Sequence, residues 1–272
     1  MTTIRKPKYQ WVATTREGFV KQVAEKYLLN GYRFYFSAEI KPSRDLEHFD
    51  RVMEDSFHYN MSRNQRWLRG SAVDSKGEKL NLANIQYIRY GRTYFLGATW
   101  GGHAFYEHHE KKDKNGDRVE KYWRDAHRDP VFVPWVDEDG EKYCYSIRLV
   151  AQGGMLPKRK WRETDVPEYE GKPRIRVRIA QKAFEIMEAG LLAKAKSTRY
   201  TARELECMVF NLPYLPYKPI GQQLRAMVRR MNKVRGERGF KDALDPNKAV
   251  RWKHPAIKVF EEQEPVPGKA AA

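Results

Sequence analysis

The stretch ANIQYIRYGRTYFLGATWGGHAFYEHH, residues 83–109, decides the fold. Apolar and aromatic residues recur at nearly every second position on both sides of Gly91, the period at which strand side chains return to one face. Two such runs joined by a glycine turn predict an antiparallel hairpin over residues 85–100, half facing a core. Gly101 and Gly102 then lead into a cluster of His and Glu.

Upstream, strict alternation over residues 32–40 puts Tyr32, Phe34, Phe36, Ala38 and Ile40 on one side and Arg33, Tyr35, Ser37 and Glu39 on the other. Pro42 ends this strand. Ser43 or Asp45 caps a helix whose buried stripe is Leu46, Phe49, Val52, Met53 and Phe57. Before the strand, residues 15–29 read as a helix, with Phe19, Val20, Val23, Tyr27 and Leu28 at helical spacing and Asn30-Gly31 as its stop. Residues 62–82 are basic and poorly periodic, and are expected to run as a surface loop with room for a helical turn.

Downstream of the hairpin, residues 110–130 form a charge-dense connection with Asn115-Gly116 as a turn. Strands follow at 131–136 and 141–150, joined by Asp137-Glu138-Asp139-Gly140, and another at 174–179 after a basic loop. A helix over 181–196 is expected to bury Phe184, Met187 and Leu191, with Ala183, Ile186 and Gly190 broadening the stripe. Thr201-Ala202-Arg203-Glu204 is a capping box whose helix ends near Asn211, ahead of Pro213. A long helix then sets Ile220, Leu224, Met227, Val228, Met231 and Val234 on one side, leaving Arg225, Arg229, Arg230, Lys233 and Arg235 facing largely away. The expected class is α+β: an antiparallel sheet of split βαβ, ferredoxin-like character in residues 1–180, a basic helical region over 181–240 and a tail over 241–272. The anchors of that tail are Trp252, Ile257, Val259 and Phe260.

Of the 272 residues, 41% are hydrophobic, enough for a sizeable core. The 52 Lys and Arg against 35 Asp and Glu leave a net charge of +17, which attracts polyanions and makes nucleic acid, DNA or RNA, the expected partner. No apolar run approaches the roughly 20 residues that span a bilayer, so no membrane partner is expected. The start, MTTIRKPKYQ, lacks an apolar signal core, and Cys144 and Cys207 form neither a CxxC pair nor a disulfide framework. A cytoplasmic location follows as an expectation.

Three features bear on how nucleic acid would be held. On the 174–179 strand, Ile175, Val177 and Ile179 take one face and Arg174, Arg176 and Arg178 the other, spacing guanidinium forks roughly 7 Å apart, close to a phosphate repeat. Carboxylates of a neighbouring strand would explain that row equally well. The loop Lys158-Arg159-Lys160-Trp161-Arg162 adds charge, as do Arg225 and Arg229 on the long helix, although its connection to the preceding helix is too long for an ordinary helix-turn-helix. Arg33 and Tyr35 share the side of their strand on which an RNA-recognition sheet stacks bases, unless a helix covers it.

Metal chemistry has one candidate set. His103, Glu107 and His109 share a face of an extended strand, and imidazole and carboxylate together suit a divalent ion such as Mg or Mn; no other cofactor is implied. Neither HExxH nor a His-apolar-His pair accompanies them, and no GKS or GKT follows Gly101-Gly102.

With KYCYSIRLV and LPYLPYKPIGQQL, the hairpin run resembles a scattered group of bacterial proteins that have a basic, strand-rich front and a helical end. That resemblance implies the layout and carries no activity. The residues point first to a nucleic-acid-binding protein of a mobile element or plasmid replication system. The alternatives are a metal-dependent nuclease or nicking enzyme, and a structural subunit of a ribonucleoprotein.

Overall fold

The computed structural model describes residues 11–78, 80, 82–99, 111–112, 118–119, 124–136, 142–150, 173–212, 214–247 and 259–260. The chain divides into two compact units, Met1–Asp129 with Ala256–Ala272, and Pro130–Pro255. The antiparallel strands expected over residues 1–180 fall in separate sheets: a four-stranded sheet and a two-stranded pair before Pro130, and a three-stranded sheet after it. Alternation marks a strand but not its pairing partner, so both sheets look alike in the sequence.

In the first unit, helix α1 (Arg16–Lys21) starts at Thr15, whose hydroxyl accepts from the Gly18 amide. It continues as a π-helical turn, Gln22–Tyr27, then a 3-10 turn, Leu28–Asn30, and stops at Gly31 in the left-handed region. Strand β1 (Phe34–Glu39) leads to α2 (Leu46–Phe57), capped by Asp45, and α3 (Arg63–Gly70). The hairpin β2 (Ile85–Tyr90) and β3 (Thr93–Ala98) turns at Gly91, whose φ of 52° glycine adopts without strain. A short pair, β4 (Lys111–Lys112) with β5 (Arg118–Val119), precedes β6 (Arg124–Asp125).

The sheet order is β2-β3-β1-β6, every neighbour antiparallel. Strand β3 lies between β1 and β2, and α2 and α3 carry the crossover, which is the split βαβ arrangement. Residues 62–82, expected to be a loop with room for a helical turn, contain the eight-residue α3, held by a complete Ser62–Gln65 capping box.

Both faces of this sheet are covered. On one, Phe34, Phe36, Tyr87, Leu96 and Ala98 pack with Phe49, Met53 and Phe57 of α2; Val52, expected in that stripe, is exposed. On the other, the α1 segment lays Phe19, Val20, Val23 and Tyr27 over Ile88 and Phe95, and Tyr27 stacks on Phe95 with ring centres 6.1 Å apart. An ion pair is enclosed in the first layer: Arg89 Nε and Nη2 donate to the Asp50 carboxylate at 2.9 and 2.7 Å, and the Tyr87 hydroxyl donates to it at 2.6 Å.

Burial pushes the Tyr27 and Tyr35 phenols up to about 12 from 10.0. Between those values the folded chain holds protons that the unfolded chain has released, so stability falls as pH rises from 10 to 12. The contribution lost is on the order of 2–3 kcal/mol per tyrosine. Absorbance titration is expected to show these two ionising only as the first unit unfolds.

The second unit holds β7 (Val131–Val136), β8 (Lys142–Val150) and β9 (Arg174–Ile179) in the order β7-β8-β9, antiparallel throughout. Helices α4 (Gln181–Ala195), α5 (Ala202–Phe210) and α6 (Lys218–Glu237) complete it. The capping box at Thr201 and Glu204 forms as the sequence predicts. Val131, Val133, Tyr145, Ile147, Leu149, Val177 and Ile179 face the core. There the Tyr145 hydroxyl accepts from the Leu215 amide at 2.8 Å, and Gln223 of α6 exchanges two hydrogen bonds with the backbone of Ile179.

Three expectations for the helices need correction. Ile186 is exposed, while Glu188 sits on the inner side of α4 and pairs with Arg230. Arg235, placed with the outward cations, is 1% exposed: it pairs with Asp242, donates to the Tyr200 carbonyl and covers the Phe240 ring. The segment after α6 is not a loose tail through residue 247, because Leu244 is buried and its backbone bonds twice to Asn232.

Candidate nucleic-acid interface

Strand β9 is at the edge of the second sheet, and its alternation sorts its side chains cleanly. Val177 and Ile179 are buried against the helices, while Arg174, Arg176 and Arg178 are exposed. Register then decides what lies beside them. Arg178 is opposite Ser146, Arg176 opposite Arg148, and Arg174 opposite Val150. Opposed residues on an antiparallel pair hold their Cβ atoms about 4.5–5.5 Å apart, so Arg148 and Arg176 bring like charges together on an exposed face.

Carboxylates on the neighbouring strand would have neutralised the row, and β8 supplies an arginine instead. Among the described residues no carboxylate pairs with Arg174, Arg176 or Arg178. One further strand across, Phe132 of β7 is opposite Ser146 on the same face and is 46% exposed. An exposed ring of that size on the face that carries the arginines has the chemistry to stack against a flat π-system. Arg148 and Phe132 were not singled out from sequence. Both fall on the outward phase of their strands, but only the register shows that they join the arginine row.

Elsewhere the placement differs by residue. Tyr35 is corrected: it is fully buried, stacked on Phe95 with ring centres 5.7 Å apart, its hydroxyl donating to the Asp129 carbonyl at 3.2 Å. The α1 segment covers that face, so no base can reach it. Arg33 beside it lies 3.6 Å from the Asp125 carboxylate and over the Phe34 ring, mostly buried, so it too belongs to the packing of β1 and β6. Arg225 and Arg229 are exposed one turn apart on α6.

Lys158, Arg159, Lys160 and Arg162 lie outside the described residues, as do His103, Glu107 and His109. Among the described residues no group of three or more His, Cys, Asp or Glu is placed to hold a metal ion. No described helix is long and apolar enough to cross a membrane.

Fold and site together define an α+β protein with one covered sheet and one sheet whose outer face is cationic. Comparison with protein-family models, with curated proteins and with solved structures finds no match in any of the three.

Proposed function

We propose that the chain is a nucleic-acid-binding protein that lays a single strand across the outer face of β7, β8 and β9. The observation that carries this reading is the row of Arg174, Arg176 and Arg178, exposed on one face of β9 with no carboxylate partner among the described residues. Cations crowded on one exposed face repel one another, and an anionic ligand offsets that repulsion. A phosphate backbone provides anions at the spacing of alternate strand residues, about 7 Å. Phe132 favours a single strand, since only unpaired bases offer a free π-face.

Anisotropy of labelled single-stranded DNA, single-stranded RNA and duplex DNA over a range of salt tests the proposal. If the three arginines of β9 each take a phosphate, log K is expected to fall with log salt at a slope of roughly −2 for single strands. A flat salt response overturns the reading. Phe132→Ala is expected to cost single-strand affinity about 1–3 kcal/mol, with no change in unfolding midpoint, because the ring is on the open face.

A further inference from the structure

The first unit carries a cavity of about 670 Å³, within the range of small-ligand sites. Its walls are of two chemical kinds. Trp11, Tyr27, Tyr32 and Tyr59 contribute rings, and Lys26, Arg63 and Arg66 contribute positive charge. Among the described residues that line it there is no carboxylate. Two of the tyrosines present ring rather than hydroxyl, because the Tyr27 hydroxyl donates to the Tyr87 carbonyl and the Tyr59 hydroxyl to the Asp50 carbonyl. Trp11 is set edge-on to Tyr59 with centres 5.7 Å apart. The cations differ in depth: Arg66 is half-buried and donates to the Tyr59 carbonyl, whereas Lys26 and Arg63 are exposed at the mouth.

The backbone supports the same reading. Gln22, Lys26 and Tyr27 all come from the π-helical turn. A turn wound by one extra residue sets its side chains at a different angle around the axis than an α-helix does, and three of the six residues in this one line the cavity. Such turns are rare and cluster at functional sites.

We infer that this cavity binds a nucleotide, its base held against the Trp11 and Tyr32 rings and its phosphate met by Lys26 and Arg63. The Gln22 amide adds a donor and an acceptor to the wall, whereas the Gln86 amide already bonds the Tyr32 hydroxyl. A base carrying a phosphate is supplied equally by a free mononucleotide and by the end of a nucleic-acid strand. This site shares no residue with the arginine face of the second unit.

The test is calorimetric titration of the full chain with the four ribonucleoside 5′-monophosphates, their nucleosides and inorganic phosphate. At least one monophosphate is expected to bind tenfold or more tightly than both its nucleoside and phosphate. Lys26→Glu with Arg63→Glu, both at exposed positions, is expected to remove that preference and leave the unfolding midpoint unchanged. Equal binding of nucleoside and monophosphate, or full affinity in the double variant, overturns the inference. To identify the source, a 5′-phosphorylated trinucleotide competes for the bound mononucleotide in protein carrying Arg174→Gln, Arg176→Gln and Arg178→Gln. Tighter competition than by the mononucleotide assigns a strand end, equal or weaker competition assigns the free nucleotide, and either outcome supports the site. Because those substitutions remove the arginine row of β9 and leave the cavity walls intact, the cavity and that row succeed or fail separately.

Discussion

Asp50→Ala is expected to destabilise the first unit by about 3–5 kcal/mol, a large part of the 5–15 kcal/mol that holds an ordinary domain together. The reason is what remains behind. Arg89 is 7% exposed, and without Asp50 its guanidinium keeps only the Gly91 carbonyl, 2.8 Å from Nη1. An uncompensated buried cation costs far more than the intact pair contributes. Tyr87, 1% exposed, loses the acceptor for its hydroxyl in the same substitution. Asp50 also ties α2 to β2, so the loss is felt at the packing of helix on sheet. Urea unfolding of Asp50→Ala, Arg89→Met and the double variant checks this. The double variant is expected to recover much of the loss, since replacing both charges removes the orphan. Equal losses in all three would mean that the pair does not act as a unit.

Replacing Arg174, Arg176 and Arg178 together with glutamine is expected to flatten the salt dependence of nucleic-acid binding by about 2 in slope, roughly 0.7 per lost phosphate contact. Affinity at low salt falls with it, by two orders of magnitude or more if each contact contributes about 1 kcal/mol. Stability moves the other way. Removing Arg176 relieves its opposition to Arg148, a gain of about 0.2–1 kcal/mol. A variant that binds worse and melts later separates this reading from general damage to the fold. If the triple variant keeps the native salt slope, nucleic acid does not lie on this face.

Much of this was legible in the residues. The period of two is strict in β9 and close to it in β2 and β3, and the Thr201–Glu204 box marks its helix, because in each case the signal is local. What escaped was set by long-range pairing. Arg235 looks like the other cations of α6, yet its partners, Asp242 and the Tyr200 carbonyl, come from the chain after and before the helix. Tyr35 could face solvent or core until the α1 segment is seen to cover that side. Helix α3 is a different case: it buries no residue fully, so hydrophobic period cannot reveal it, and Ser62-x-x-Gln65 was the available sign. Arg148 and Phe132 needed the strand register.

The paired hydrogen bonds from Gln223 to Ile179 reach further than the packing of α6. Strand β9 ends the sheet, and the N–H and C=O of Ile179 point away from β8, where another chain could add a strand. A side-chain amide offers one donor and one acceptor, the pattern of a strand neighbour, and so occupies that position from within the molecule. The repulsion among arginines discourages a second copy along the rest of the same edge. Strand β9 is thereby protected against edge-to-edge aggregation while its outward face stays open to an anionic ligand.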